Sequence, residues 1–310
     1  MRRKLVEFNV SVEQLDQMFG PSNELTVESW KKRWLDNVVE NLNIVTHPRP
    51  MNELLTQLNS HVILACGAGP SLRKLKRAAP LIPPNWGIVT TDYGLLAVLQ
   101  AGLKPTLVIS MDGHQETEPD LLEGFNQLNE LHPDVPVILD IVTCPSVVEQ
   151  VKNPFFFRSM GPHENFLNRY VMKEVPHIDQ MGHGGNVGSV CCIMAKFYCY
   201  ARHVVLIGFD SAMKEGTTRG NYWNEKVAGN DHQYIQVADI YGRPIWTMAN
   251  LHNYKWWLDH FCWCNNDVEW INANDGGFLG VCDPVSNYNH FTYLPLEKAV
   301  EHLKDHSEDD

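Results

Sequence analysis

The stretch His61–Leu72, HVILACGAGPSL, constrains this chain more than any other. Val62 to Cys66 form an uncharged run that predicts a buried strand. Gly67-Ala68-Gly69 then forces a tight turn, because glycine enters backbone conformations that other residues avoid. Pro70 suits the first turn of a helix, having no N–H to leave unpaired, and Ser71 can cap the same end. A helix over Leu72–Ala79 follows and carries Arg73, Lys74, Lys76 and Arg77. A strand that runs through a glycine turn into a helix start gathers free N–H groups and the positive helix pole at one point. Such a point suits an anion, usually a phosphate, although the same residues also serve a plain turn with no ligand.

From His61 onward strands and helices alternate. Gly87–Thr91, Pro105–Met111, Val135–Val142 and His203–Gly208 read as strands, with Phe155–Met160 as a further candidate. Tyr93–Ala101, closed by Gly102, then Ser146–Val151 and Gly188–Tyr200 read as helices. Uncharged, β-branched runs separated by helices predict a Rossmann-like α/β fold: a mostly parallel sheet with helices on both faces. Val62–Cys66, Thr106–Met111, Val137–Val142 and Val204–Ile207 are its expected interior strands. Residues 1–60 form an N-terminal helical extension, with apolar residues at helical spacing in Ser11–Phe19 and Glu28–Leu42, a break at Thr46–Pro50 and a resumption at Met51–Leu58. It is expected to cover the main domain, or to act as a small lid. Residues 61–211 make the nucleotide-binding core and 212–310 a loop and helical segment completing the site. Within the last part, 211–245 is polar and irregular, Ala249–Trp263 is a helix with a dense aromatic face, Val268–Asn272 is a strand and Leu296–Lys304 a closing helix.

A hydrophobic content of 44% supplies a substantial core, and a formal net charge of −12 argues against a general nucleic-acid surface. No apolar run approaches about 18 residues, so no membrane span is expected. The start MRRKLVEFNV lacks a long apolar core and a cleavage site, so it is not read as a signal peptide. None of the eight cysteines forms a C-x-x-C pair, which suits reduced thiols in a cytoplasmic protein.

In a parallel sheet the loops at the carboxyl ends of the strands share one edge, and ligands bind there. That rule collects the Gly67–Ser71 turn, Asp92, Asp112 with His114, the Gly182–Ser189 stretch, Asp210 and Asn274–Gly277. Asp92 and Asp112 could share a Mg²⁺ that bridges phosphate oxygens; either could instead cap the next helix or turn. Four glycines between Gly182 and Gly188 let the backbone approach a ligand closely, with Gly184, Gly185, Asn186 and Ser189 as further contacts. His183 in that turn is a candidate general base, or a donor to a phosphate leaving group, if it is not simply exposed.

These residues resemble the MptE-like family, named for archaeal 6-hydroxymethylpterin diphosphokinase. The likeness rests on Gly67–Leu72 as G-x-G-P-S-L, on Thr91–Leu96, on Ala101–Pro105 and the strand closing on Asp112, on Gly184–Val190, and on Gly208-Phe209-Asp210. It covers about 61–211. The middle part is also similar to thiamine pyrophosphokinase, where a like segment holds magnesium and phosphates. The flanks resemble the Maf branch, thought to transfer nonulosonic acids onto flagellin: the helical segment with Trp30, and Ile271–Gly280, close to the Maf N-A-T-x-G-G stretch but with Asn274 and Asp275 at two of its positions. The glycine turn is similar to that of bacterial sialyltransferases, which bind a CMP-sugar there, with Ala68 where asparagine is usual.

The resemblance implies a transferase in one of two forms. One moves a sugar from a CMP-activated donor to a hydroxyl of a small molecule or protein, with the glycine turn holding the donor phosphate and His183 assisting. The other moves diphosphate from ATP to a hydroxymethylpterin-like alcohol, with Asp92 and Asp112 holding Mg²⁺ and Arg73, Lys74 or Arg77 balancing phosphate charge. A non-catalytic nucleotide-binding protein on the same fold is the third reading.

Overall fold

The computed structural model describes residues 30–55, 57–113, 119–159, 171, 173–212, 234–282 and 290–304. The expected helix Ser11–Phe19 and His114 lie outside them. Among the described residues nine parallel strands form the main sheet: β1 (Val62–Cys66), β2 (Gly87–Thr91), β3 (Leu107–Ser110), β4 (Val137–Asp140), β5 (Pro154–Ser159), β6 (Asp179–Met181), β7 (His203–Ile207), β10 (Glu269–Asn272) and β11 (Phe291–Tyr293). Their order is β11-β10-β7-β1-β2-β3-β4-β5-β6. All four strands expected in the interior are there, and their pairings are parallel.

Each central strand is buried on both faces, as its unbroken apolar sequence requires. Within β1, Ile63 and Ala65 point to one face, and Val62, Leu64 and Cys66 to the other. The first face is covered by α6 (Val187–Phe197) and α7 (Ala249–Cys264), which bring Val190, Met194, Leu258 and Cys262. On the other face lie α3 (Asp92–Gln100), α4 (Pro119–Leu131) and α5 (Pro145–Gln150), with α8 (Leu296–His302) nearer β1.

The N-terminal helix α1 spans 30–44 and packs Trp34, Leu35 and Val38 into the same layer as α4. Asn37 and Asn41 fix its place over the carboxyl edge. Asn37 donates to the carbonyls of Gly113 and Val142, and Asn41 to those of Ile141 and Thr143. The described part of the extension is therefore an anchored cover. Its continuation is a short 3₁₀ helix, Met51–Leu54, rather than a helix to Leu58.

Two further expectations are corrected. Leu72–Ala79 is not one helix: a 3₁₀ helix Pro70–Lys74 leads into α2 (Leu75–Ala78) and a second 3₁₀ turn, Ala79–Leu81. Ala79 keeps a helical backbone, but Pro80 has no N–H to continue the α-helical hydrogen bonds, and the chain is extended at Ile82. The stretch read as irregular holds an antiparallel hairpin, β8 (Tyr234–Ala238) and β9 (Pro244–Met248), whose tip turns at Gly242 with φ of 78°. Both outer strands of the sheet, β6 and β11, escaped the reading because each has three residues and little apolar signal.

The chain first steps outward from β1 to β6. It then returns through α6 to place β7 on the other side of β1, followed by β10 and β11. The order reverses between β1 and β7, and a crevice at the carboxyl ends of such a reversal is the usual ligand position in open α/β sheets.

Candidate functional site

All five singled-out positions lie on the carboxyl edge of the sheet. Gly67 follows β1, Asp92 follows β2, Asp112 lies beyond β3, His183 beyond β6 and Asp210 beyond β7. They fall into three groups, each built on a buried aspartate that receives a serine hydroxyl.

The first group sits at the reversal. Gly67 N–H donates to Ile207 O and Gly69 N–H to Gly208 O, so the glycine turn continues the β1–β7 pairing past the strand ends. Asp210 accepts both the Ser71 N–H, at 3.1 Å, and the Ser71 hydroxyl. A Cβ on Gly69 would stand 2.2 Å from Asp210 Oδ2, and one on Gly67 would stand 2.4 Å from Gly208 O. The glycines are thus required by close approach of the two loops. Ala68 is half-buried and brings no polar side-chain atom. Burial pushes the Asp210 carboxyl up to about 6 against the Ser71 hydrogen bonds, which pull it down. The first turn after β1 therefore already holds a carboxylate of the protein.

The second group is Asp92, Ser110 and Asp112. Asp92 opens α3, which is capped by Thr91: its hydroxyl accepts the Gly94 N–H. Asp92 is 2% exposed and accepts the Ser110 hydroxyl at 2.6 Å and the Tyr93 N–H at 2.8 Å. Burial raises its carboxyl to about 7; the Ser110 bond opposes this and the Asp112 charge adds to it. Asp112 is half-buried, and its charge also reaches Tyr254 on α7, whose phenol is raised first by burial and then by Asp112. Among the described residues no three His, Cys, Asp or Glu side chains are grouped so as to hold a metal. Two carboxylates are enough for a Mg²⁺ whose other ligands are phosphate oxygens and water.

In the third group Ser159 donates to Asp140, and His183 Nε2 lies 2.8 Å from Ser159 Oγ. Gly185 N–H donates to His183 Nδ1, so that nitrogen carries a lone pair and Nε2 carries the hydrogen. Burial lowers the imidazole to about 4, so it is neutral at pH 7. His183 is placed as the post on which the glycine-rich loop is hung. Asn186 caps α6, accepting the Ser189 N–H, while Ser189 Oγ accepts the Gly184 N–H. A Cβ on Gly184 would meet the Trp257 ring at 2.6 Å, and one on Gly188 would meet Phe209 at 2.9 Å. The aromatic helix α7 is therefore a wall of the site on one side as well as core on the other.

Two further stretches close on the glycine turn. Asp275 N–H donates to Ser71 Oγ at 2.6 Å, and Phe209 N–H to Asn274 Oδ1 at 2.9 Å. Asp275 pairs with Lys74 at 2.5 Å and Arg73 at 3.5 Å, while Arg77 pairs with Glu297. The hairpin tip docks on the same stretch: Ile240 N–H donates to Gly277 O, and Arg243 Nη2 lies 3.4 Å from Asp275 O. Ser110, Ser159, Asp140 and Arg243 are site-edge residues that sequence reasoning missed. The serines had no signal of their own, since their roles arise only from strand register.

A family model described as "6-hydroxymethylpterin diphosphokinase MptE-like" matches residues 36–216. No curated protein matches the chain significantly. Among solved structures the fold is similar to that of a Maf glycosyltransferase from Magnetospirillum magneticum AMB-1, with a TM-score of 0.54 and 12% identity. The likeness covers 81% of this chain but only 38% of that protein.

Proposed function

Since the chain belongs to the 6-hydroxymethylpterin diphosphokinase MptE-like family, we propose that it is a transferase acting on a nucleotide-activated donor. Our reading is a Maf-like glycosyltransferase that moves a sugar, of the nonulosonic acid class, from a CMP-activated donor to a hydroxyl. One observation carries it. The two stretches that resemble Maf-type and CMP-sugar enzymes, Gly67–Ser71 and Asn274–Gly277, meet through the Asp275-to-Ser71 hydrogen bond at the sheet reversal. The donor lies across this junction, with its phosphate toward Lys74 and Arg73. The bond from the anomeric carbon to the phosphate oxygen breaks and one to the acceptor oxygen forms. The acceptor's proton passes to Asp112, the half-buried carboxylate of the edge. His183, neutral and doubly hydrogen-bonded, orders the loop over the acceptor.

The second reading, a diphosphokinase acting on a hydroxymethylpterin-like alcohol with ATP, is favoured by the neighbouring Asp92 and Asp112. These two carboxylates fit Mg²⁺, with Asp112 as the accessible ligand and Asp92 behind it. The cation would supply charge neutralisation for the transferred phosphates. Thermal shifts with CMP, CTP and ATP, each with and without Mg²⁺, separate the readings. Stabilisation by CMP without metal supports glycosyl transfer; stabilisation by ATP only with Mg²⁺ replaces it with the diphosphokinase. A shift with none of them sets aside both.

A further inference from the structure

Two cations pair with one carboxylate at the mouth of the junction and a third stands against the backbone carbonyl of the same residue, on a chain whose formal net charge is −12. Lys74 and Arg73 reach Asp275 from the 3₁₀ helix after the glycine turn. Arg243 arrives from the hairpin tip, 170 residues further along the chain. Its guanidinium is aimed by Asp239, 3% exposed, which accepts Nε at 2.7 Å and pairs with Nη2 at 2.6 Å. Asp239 also accepts the backbone N–H groups of Tyr241 and Arg243, so the tip is held in one shape. The space Arg243 occupies is open because residue 276 is glycine, with φ of 122°; a Cβ there would stand 2.7 Å from Nη2. Beside this group the side-chain amide of Asn274 is unbalanced. Its oxygen accepts the Phe209 N–H, while Nδ2 is buried with no partner among the described residues.

We infer that Arg73, Lys74 and Arg243 form an oxyanion seat for the donor's phosphate, and that the Asp275 carboxylate occupies the seat until a phosphate displaces it. The inference rests on the donor-binding reading above and adds to it the hairpin as the element that completes the phosphate site. Asp275 keeps Arg73 and Lys74 from repelling one another, as Asp239 balances Arg243; the Asp275 carboxyl shows it, since burial raises it but Lys74 and Arg73 together hold it below the usual range. A phosphate oxyanion makes the same charge-assisted hydrogen bonds with more acceptor oxygens, and a guanidinium can bind two of them at once. Displaced from the seat, Asp275 is close enough to the surface to turn into water, its side chain being 33% exposed.

Calorimetric titration of the full chain with CMP, cytidine and inorganic pyrophosphate tests this. Arg243→Ala is expected to weaken CMP and pyrophosphate about tenfold and to leave cytidine unchanged. Asp275→Asn should strengthen both anions several-fold, with the gain lost in high salt; a merely structural role for Asp275 would not raise affinity. If Arg243→Ala leaves both anions unchanged while its melting temperature matches wild type, the seat is overturned. Pyrophosphate that binds and depends on Arg243, with neither CMP nor cytidine binding, keeps the seat and removes the CMP reading. Absence of binding by all three to the wild-type protein overturns both.

Discussion

Ser71 and Asp210, 139 positions apart in the chain, share two hydrogen bonds, from the serine N–H and from its hydroxyl to the two carboxylate oxygens. The bond pair fastens the turn after β1 to the turn after β7, which is where the sheet order reverses. The same arrangement recurs along the edge: Ser110 donates to Asp92 and Ser159 to Asp140. Each pair joins the ends of strands that the sequence keeps apart, so the edge is held by side chains where the ladder has stopped. An aspartate that is fully tied in this way shapes a site. In the proposed reaction the half-buried Asp112, beside Asp92, is the carboxylate that meets the substrate.

The fit of the two loops at the reversal makes Gly69 intolerant. An alanine there would drive its Cβ to 2.2 Å from a buried carboxylate oxygen and 2.7 Å from the Gly208 carbonyl. Gly69→Ala is expected to cost more than about 3 kcal/mol in urea unfolding, because backbone and carboxylate would both have to move. Gly124, inside α4, is the control. Its nearest would-be contact is Leu95 at 3.5 Å, so Gly124→Ala should stabilise by about 0.5–1 kcal/mol. Equal effects at the two positions would contradict the close approach at the turn.

The cover helix α1 hangs on Asn41, which is fully buried and donates to two carbonyls of the loop after β4. Asn41→Ala leaves both carbonyls short of a donor in a dry place. The expected loss is about 2–3 kcal/mol, accompanied by faster hydrogen exchange through 30–44. An unchanged exchange pattern there would show that the apolar contacts of Trp34 and Val38 suffice.

Much of this was legible from residues alone, for identifiable reasons. Val62–Cys66 and its parallel neighbours announce themselves because a strand covered on both faces is built almost wholly from uncharged residues. Gly67 and Gly69 were visible as a turn, but the reason for them, the approach of Gly208 and Asp210, is a contact made by folding. His183 was visible as a candidate base; its neutral state comes from burial, and its partner Ser159 is brought near only by the pairing of β5 with β6. Arg243 lies in a stretch with weak periodicity, and nothing in its neighbours pointed to the glycine turn.

His183 provides a test by titration. Its folded value of about 4 lies below the ordinary 6.5, so between those values the unfolded chain binds the extra proton. Stability contributed by this group is therefore present above about pH 6.5 and lost as pH falls toward 4. Nitrogen chemical shifts of the labelled ring at pH 6 should report a neutral imidazole with hydrogen on Nε2. His183→Gln should flatten the fall in melting temperature over that window. An imidazolium at pH 6 would refute the assignment and restore His183 as an exposed base.

Asp92 has the opposite sign. Its carboxyl is held near 7, above the ordinary 3.8, mainly because it is buried. Below about pH 4 both folded and unfolded chains carry the proton and the group adds no penalty. As pH rises toward 7 the unfolded chain releases its proton first, and the folded state loses up to about 1.4 kcal/mol per pH unit from this group. Above about 7 the penalty is complete and constant. Asp92→Asn keeps the shape and acceptor oxygen but removes the charge, so it should melt several degrees higher than wild type at pH 8 and level with it near pH 4. Mg²⁺ bound by Asp112 with Asp92 behind it would favour the charged carboxylate. Added Mg²⁺ should then raise the wild-type melting temperature at pH 8 and move the Asp92→Asn protein less. Melting curves across pH 4–8, with and without Mg²⁺, give both answers. A gap between the proteins that does not widen with pH would mean that Asp92 is charged without cost, held by a partner other than Ser110 and Tyr93.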